Sequence, residues 1–358
     1  MPFSIGDRAP AMVGATASGR FFSLDAQAGR PAAIIALGSL EPQAAARLLN
    51  HLRAAEADFK VAGVDLVPVA PQTAPFTARF GADPQAADLL VYASGGSGIE
   101  FIQRDGAAAA ILIDRGGRVL DIHAVDEETE MAGWLGRFAR LLASRGSQVR
   151  TAAAPVLIVP NIAPPELCKA LIDHFEASPH AAGVMASFSD GGAYAKLDEA
   201  KKKRRDTELT AESPLYAEVL SLLSGRVVPE IKRAFQADIA NADRILIARY
   251  DDTGGYFKRH RDNAAPHTAF REFAISLNLN THQYEGGEIL FPEYDDARYN
   301  PPAGGAIVFS ASLLHEAAPV TRGSRYVLLS FLGSAAAQTR LTAWTESQQS
   351  AASKSPTS

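Results

Sequence analysis

A single cysteine stands in 358 residues, so no intramolecular disulfide can form and the fold must rest on its own core, as in a reducing compartment. No stretch approaches the roughly 18 apolar residues that cross a bilayer, and the opening MPFSIGDRAP has no basic segment leading into an apolar run. The expectation is a cytoplasmic protein with no membrane partner. Nor is there a large excess of charge of either sign: the formal value is −5, which gives no general footprint for nucleic acid. The lone Cys168 lies in PPELCKALIDHF beside Leu167, Leu171, Ile172 and Phe175 at helical spacing. That setting predicts a small buried hydrophobe and not a nucleophile.

What is present fits an ordinary globular chain, 47% hydrophobic and 21% charged, long enough for two domains. Over residues 1–145, GDRAP is followed by the apolar run PAAIIALG, a helical stretch from Pro42 to Phe59, the strand-like VDLVPVA, and ILIDRGGRVLDIH, two strands around a Gly-Gly turn. A helix through WLGRFARLLAS closes the unit, and strands alternating with helices predict an α/β domain. The order resembles a peroxiredoxin-like, thioredoxin-fold domain. Such a domain needs a thiolate shortly after the PAAIIAL strand, and Ser39, Leu40, Glu41 and Pro42 stand there instead. Thiol peroxidase chemistry is therefore excluded, which leaves a packing, homodimerising or partner-binding module. Residues 146–154, GSQVRTAAA, read as a linker.

Residues 155–335 read as a second, α+β domain. A strand and a Pro-Pro helix start open it, and Asp190 to Asp198 is small-residue-rich, predicting a mobile loop. Lys201 to Asp206, KKKRRD, is the only dense basic run; it predicts a solvated face, with a substrate-binding role, in contact with an acidic protein or a nucleic acid backbone, as the alternative. SPLYAEVLSLLSGRVVPEIKRAF continues as helix, and from Arg244 strands dominate, separated by Gly, Pro and Asp turns. Such a succession fits a double-stranded β-helix, the cupin-like jelly roll. Within it His260 and Asp262 are two apart, so on a strand they leave one face together, and His315 offers a third ligand from a later strand. Two histidines and one carboxylate leave the remaining positions of a metal open. Arg325, in the apolar alternation RGSRYVLLSF, is a poor core residue unless it meets an anion, and its fork suits a carboxylate. His267 and His282 lack ligand spacing, and residues 346–358 read as a disordered tail.

This arrangement resembles the prolyl 4-hydroxylase-like branch of the Fe(II)- and 2-oxoglutarate-dependent dioxygenases over residues 155–333. The resemblance implies Fe(II) held by His260, Asp262 and His315, and 2-oxoglutarate as cosubstrate with its far carboxylate on Arg325. Tyr250 matches a tyrosine that faces the cosubstrate, Gly286 to Glu288 with Phe291 match a family hallmark, and Asn278 stands where some relatives place a tyrosine on the same carboxylate. It further implies dioxygen as cosubstrate, ascorbate as an accessory, and hydroxylation of a prolyl residue in a peptide or protein. A free amino acid or other small molecule as substrate, and a non-catalytic scaffold responsive to iron or 2-oxoglutarate, are the alternatives.

Overall fold

The computed structural model describes residues 4–9, 12–16, 18–24, 30–37, 40–71, 89–93, 108–125, 129, 131–141, 152–183, 185–189, 192–196 and 198–354. The chain divides into two compact units, Met1–Gln148 and Val149–Ser358. In the first, strands β1 Val13–Thr16, β2 Phe21–Ser23, β3 Ala32–Ala36, β4 Asp65–Pro71, β5 Val91–Ala93, β6 Ala108–Ile113 and β7 Val119–Val125 form one sheet in the order β2-β1-β5-β4-β3-β6-β7. β3, β4 and β5 run parallel, while β6 and β7 are antiparallel. The all-apolar β3 and β6 are buried along their whole length because both faces of the sheet are covered. Ala33 and Ile35 pack against helices α1 Pro42–Val61 and α2 Met131–Leu141, where Phe59, Trp134 and Phe138 meet ring to ring. Ile34 turns to a second cluster with Met12, Phe22 and Val69. In the stretch where a peroxidase would carry its thiol, Pro42 opens α1 and Ser39 lies outside the described residues.

The second unit is mostly sheet. Its strands are β8 Leu157–Val159, β9 Ala181–Ala182, β10 Met185–Ser189, β11 Gly192–Lys196, β12 Lys202–Lys203, β13 Arg205–Glu208, β14 Asn241–Asp251, β15 Tyr256–His260, β16 Phe273–Asn278, β17 Tyr284–Gly286, β18 Ile289–Leu290, β19 Ala306–Ser310, β20 His315–Ala317 and β21 Val320–Gly333. A large sheet runs β8-β19-β16-β21-β14-β13-β9 with β17 beside β21, and a small one runs β12-β15-β20-β18, a jelly-roll-like pair. Side-chain alternation assigns the faces. Ile245, Ile247, Ile275, Leu277 and Leu328 pack on helices α3 Pro165–Ala177, α4 Pro214–Leu222 and α5 Val228–Phe235. Ala248, Tyr250, Ala274, Phe309 and Val327, of opposite parity, pack toward Ile289, Leu313 and Ala317 of the small-sheet side. The functional side chains emerge from this inner face.

Three features differ from the sequence reading. Of residues 190–198, expected as a mobile loop, Gly192–Lys196 form a strand that pairs with Met185–Ser189, Met185 opposite Lys196 and Ser189 opposite Gly192, while 190, 191 and 197 lie outside the described residues; Phe188 and Tyr194 are strand formers that outweigh the small residues around them. The helix through residues 214–235 is interrupted by a π turn, Leu223–Val227, just before Pro229, which brings no N–H to an α-helical ladder. The tail expected to be disordered from 346 is helical as far as Lys354, in α6 Ala335–Lys354. Alanine, glutamine and glutamate favour helix, Ser334 Oγ accepts from the Ala337 N–H as its cap, and Arg340 pairs with Glu272. Residues 355–358 of that expectation lie outside the described residues. No described helix is long and apolar enough to cross a membrane.

Candidate metal centre and anion pocket

β15 and β20 pair antiparallel with His260 opposite His315, which brings two imidazoles together from strands far apart in sequence. Asp262 lies two residues past His260, the last residue of β15, and its N–H donates to the Ala311 carbonyl at 3.0 Å, so the carboxylate is held beside both rings. Asp262 Oδ1 lies 3.4 Å from His260 Nε2 and Oδ2 lies 3.5 Å from His315 Nε2. One ligand atom from each residue falls within 4.8 Å of the others. Both histidines direct Nδ1 at a backbone carbonyl, His260 at Lys258 O (2.7 Å) and His315 at Leu313 O (3.0 Å). A ring whose Nδ1–H donates in this way keeps the Nε2 lone pair for a metal.

The electrostatics agree with that tautomer. Burial disfavours the Asp262 carboxylate, but His315 and His260 beside it prevail and hold it at about 2. His315 goes down to about 4, chiefly through burial and against the pull of Asp262, so its imidazole is neutral at neutral pH. Phe257 stacks on His260 (centroids 3.4 Å apart, planes at 19°) and Phe309 meets His315 edge-on at 4.7 Å, which fixes both rings. Two imidazole nitrogens and one carboxylate suit Fe(II) and leave part of its coordination sphere open.

Arg325 occupies the inner face of β21, directly opposite Tyr250 of β14, and is 2% exposed. One terminal nitrogen donates to Ser276 Oγ (3.2 Å) and Asn278 Oδ1 (3.0 Å). Its Nε has no partner, and no described carboxylate pairs with it. A buried guanidinium without an acid is costly, so this side chain is prepared for an anionic ligand. Room for it comes from glycine: Gly287, at φ +71°, runs so close that a Cβ there would lie 2.8 Å from Arg325 Cδ. Tyr250, His260, Asp262, Ser276, His315 and Arg325 all line one cavity of about 890 Å³, large enough for a small dicarboxylate and part of a second molecule.

Asn278 is placed differently from what the sequence resemblance implied. It is fully buried, lies behind the cavity wall, and its amide nitrogen donates to Thr281 Oγ1, Asn300 Oδ1 and the Pro301 carbonyl. With its donors committed and its oxygen on Arg325, it props the arginine and offers nothing to a carboxylate. His267 and His282 lie outside the three-residue group.

Residues that sequence reasoning passed over complete the wall. Lys202 and Arg204 belong to the basic run read as a solvated face, yet both line the cavity with Asp206. Arg204 binds Asp206 through Nε (2.7 Å) and a terminal nitrogen (3.1 Å), and its other terminal nitrogen donates to the Tyr250 hydroxyl at 2.8 Å. A hydroxyl that accepts from a guanidinium keeps its own proton for another acceptor. The signal available in the sequence was the alternation Lys202, Arg204, Asp206, which places every second residue on one face.

Comparison with known proteins accords with this geometry. The family model of the 2OG-Fe(II) oxygenase superfamily matches residues 245–333. A PKHD-type hydroxylase from Picosynechococcus sp. is 31% identical over 157 residues, 42% of this chain and 68% of that protein. Another from Maricaulis maris is 33% identical over 93 residues, 25% of this chain and 42% of that protein. A crystal structure of a Pseudomonas putida prolyl-4-hydroxylase aligns with 51% of this chain and 93% of its own, at 17% identity and a TM-score of 0.39. From its matched core and its relatives, the chain belongs to the 2OG-Fe(II) oxygenase superfamily, among the PKHD-type hydroxylases.

Proposed function

We propose that this oxidoreductase hydroxylates a C–H bond of a prolyl residue in a peptide or protein, with His260, Asp262 and His315 holding Fe(II) and Arg325 receiving the far carboxylate of 2-oxoglutarate. The observation that carries the reading is a buried arginine with no acid partner among the described residues, on the same cavity as two metal-ready imidazoles and a carboxylate. With Fe(II) bound, 2-oxoglutarate and dioxygen supply the oxidising power: one oxygen atom enters succinate as carbon dioxide leaves, and the other converts C–H to C–OH. The protein provides orientation. His260 and His315 present Nε2 because backbone carbonyls hold Nδ1. Arg325 is aimed by Ser276 and Asn278, and Tyr250 has a hydroxyl proton to give because Arg204 takes its lone pair. Ile289, Phe309, Leu329 and Phe331 add apolar surface to a wall that also carries charged side chains.

The prolyl assignment is supported by the likeness of residues 250–331 to prolyl hydroxylases and by the hydroxylase relatives. For the first unit, the parallel β3–β5 core with α1 crossing between β3 and β4, followed by the β6–β7 hairpin, supports the thioredoxin-like reading and a non-catalytic, partner-binding or homodimerising role. The test is to incubate the full chain with Fe(II), 2-oxoglutarate and either proline-containing peptides or free proline, and to follow succinate and the mass of each candidate. Oxygen gain on the peptides with matching succinate is expected. Efficient oxygenation of free proline alone would move the assignment to a small molecule, and absence of succinate with every substrate would favour a scaffold.

A further inference from the structure

The ladder that carries the candidate metal ligands is short and irregular. β15 and β20 pair at Phe257 with Ala317 and at His260 with His315, the register shifts between these pairs, and β15 ends on His260. Ligands of one metal have to be held to within about 0.5 Å, which such a ladder does not secure by itself. Beyond His260 the fixing passes to side chains. Arg261 stands between the first two ligands, and its guanidinium divides its donors: one terminal nitrogen goes to the Ser312 carbonyl and the other to Glu293 Oε1 at 2.6 Å. Glu293 Oε2 in turn accepts from the Leu314 N–H at 3.3 Å. Asn263 adds a bond to Ser312 Oγ at 2.7 Å. The segment bearing His260 and Asp262 is thereby tied to the turn that leads into His315.

The Leu314 N–H belongs to the same peptide unit as the Leu313 carbonyl, and that carbonyl is the partner of His315 Nδ1 at 3.0 Å. A trans peptide unit is planar, so its N–H and C=O point in opposite directions and turn together. Holding the N–H at Glu293 therefore aims the carbonyl at the imidazole, and the imidazole keeps Nε2 for a metal. A hydrogen bond at one end of an amide also polarises the bond at the other. The side chains of Arg261 and Glu293 are 39% and 40% exposed. An ion pair so open to water adds little to folding stability, and what this one supplies is geometry.

We propose that Glu293, held by Arg261, is a positioning residue that acts through the Leu313–Leu314 peptide to set the tautomer and orientation of His315, and with them the affinity of the site for a divalent metal. This rests on the reading of His260, Asp262 and His315 as metal ligands. The probe is Mn(II) alone, titrated into the full chain with the unbound ion counted by its EPR signal, for the wild type, Arg261→Met, Glu293→Ala, the double variant and His315→Ala. Geometry and field act in opposite directions on Arg261→Met: removing a cation beside the site tightens Mn(II) through the field, whereas loosening Glu293 weakens it. Both single variants are expected to weaken Mn(II) about tenfold, and the double variant by no more than about the larger single loss, because each breaks one chain of contacts. Urea unfolding of the metal-free proteins is expected to show midpoints close to the wild type. A merely structural role would instead lower the midpoint and leave the Mn(II) constant of the folded protein unchanged.

Unchanged or tighter Mn(II) binding in Arg261→Met, binding within about twofold of the wild type in Glu293→Ala, or multiplied losses in the double variant overturns the proposal. Where Glu293→Ala fails to fold, Arg261→Met decides. The metal reading is tested separately: no Mn(II) binding by the wild type, or binding that His315→Ala retains in full, removes that reading and the proposal with it. Wild-type binding that is lost in His315→Ala but untouched in Arg261→Met and Glu293→Ala removes the proposal alone.

Discussion

Arg325 shows why a single buried side chain can carry a functional argument. Taking a guanidinium out of water costs several kcal/mol, and the hydrogen bonds to Ser276 and Asn278 end on uncharged acceptors and offset it only in part. Asn278 is therefore a positioning residue. Asn278→Ala is expected to destabilise the fold by about 1–3 kcal/mol, since it strips the acceptors Asn300 and Pro301 of a buried donor, and to raise the 2-oxoglutarate concentration needed for half-maximal succinate formation. Denaturant unfolding and a cosubstrate titration read the two effects apart; an unchanged titration would make Asn278 purely structural. Cys168 is the opposite kind of residue. Chiefly through burial its thiol is pushed up to about 11 from an ordinary 9, so it stays protonated until pH rises well into the alkaline range. At pH 8 the thiolate fraction is about a hundredfold below that of an ordinary thiol. Native protein is expected to react with iodoacetamide correspondingly slowly, with the rate climbing on unfolding in urea; rapid labelling of the native chain would contradict the placement of Cys168 in the core.

At the scale of strands, parity separates function from surface. Across 202–206 every second side chain faces the cavity, and Arg205 between them is exposed, its guanidinium on the His180 carbonyl. Arg204→Met removes the donor that fixes the Tyr250 hydroxyl and is expected to lower turnover about tenfold, near the loss of one charge-assisted hydrogen bond, whereas Arg205→Met leaves it within about twofold. Equal effects of the two substitutions would dismiss the facing argument. Parity also explains what could be read before the structure. His260 and Asp262 are close in sequence and share a strand end, and Arg325 stands out as a charge in an apolar alternation, so spacing marked them as candidates, while their roles came from the family resemblance. The inward turn of Lys202 and Arg204 was not, because it depends on β12 pairing with β15 more than fifty residues later. Asn278 likewise looks like a ligand in sequence, and only its contacts with Thr281, Asn300 and Pro301 reveal a strut.

For the whole molecule, the alternation of strands and helices announced the α/β character of the first unit, and the run of short strands the sheet-rich second. The pairing of β10 with β11 and helix α6 were hidden by compositions dominated by small and polar residues, which suit loops as well as they suit these elements. In the proposed function one cavity has Arg325 to receive 2-oxoglutarate and His260, Asp262 and His315 to hold Fe(II). The most direct measurement is succinate formation across a 2-oxoglutarate titration with Fe(II) and a turned-over peptide, for the wild type, Arg325→Ala and His315→Ala side by side. Loss of a buried charge pair costs about 2–5 kcal/mol, so Arg325→Ala is expected to need at least about thirtyfold more 2-oxoglutarate, while His315→Ala forms no succinate at any concentration. An Arg325→Ala titration that overlays the wild type, or a His315→Ala protein that turns over at the full rate, would contradict it.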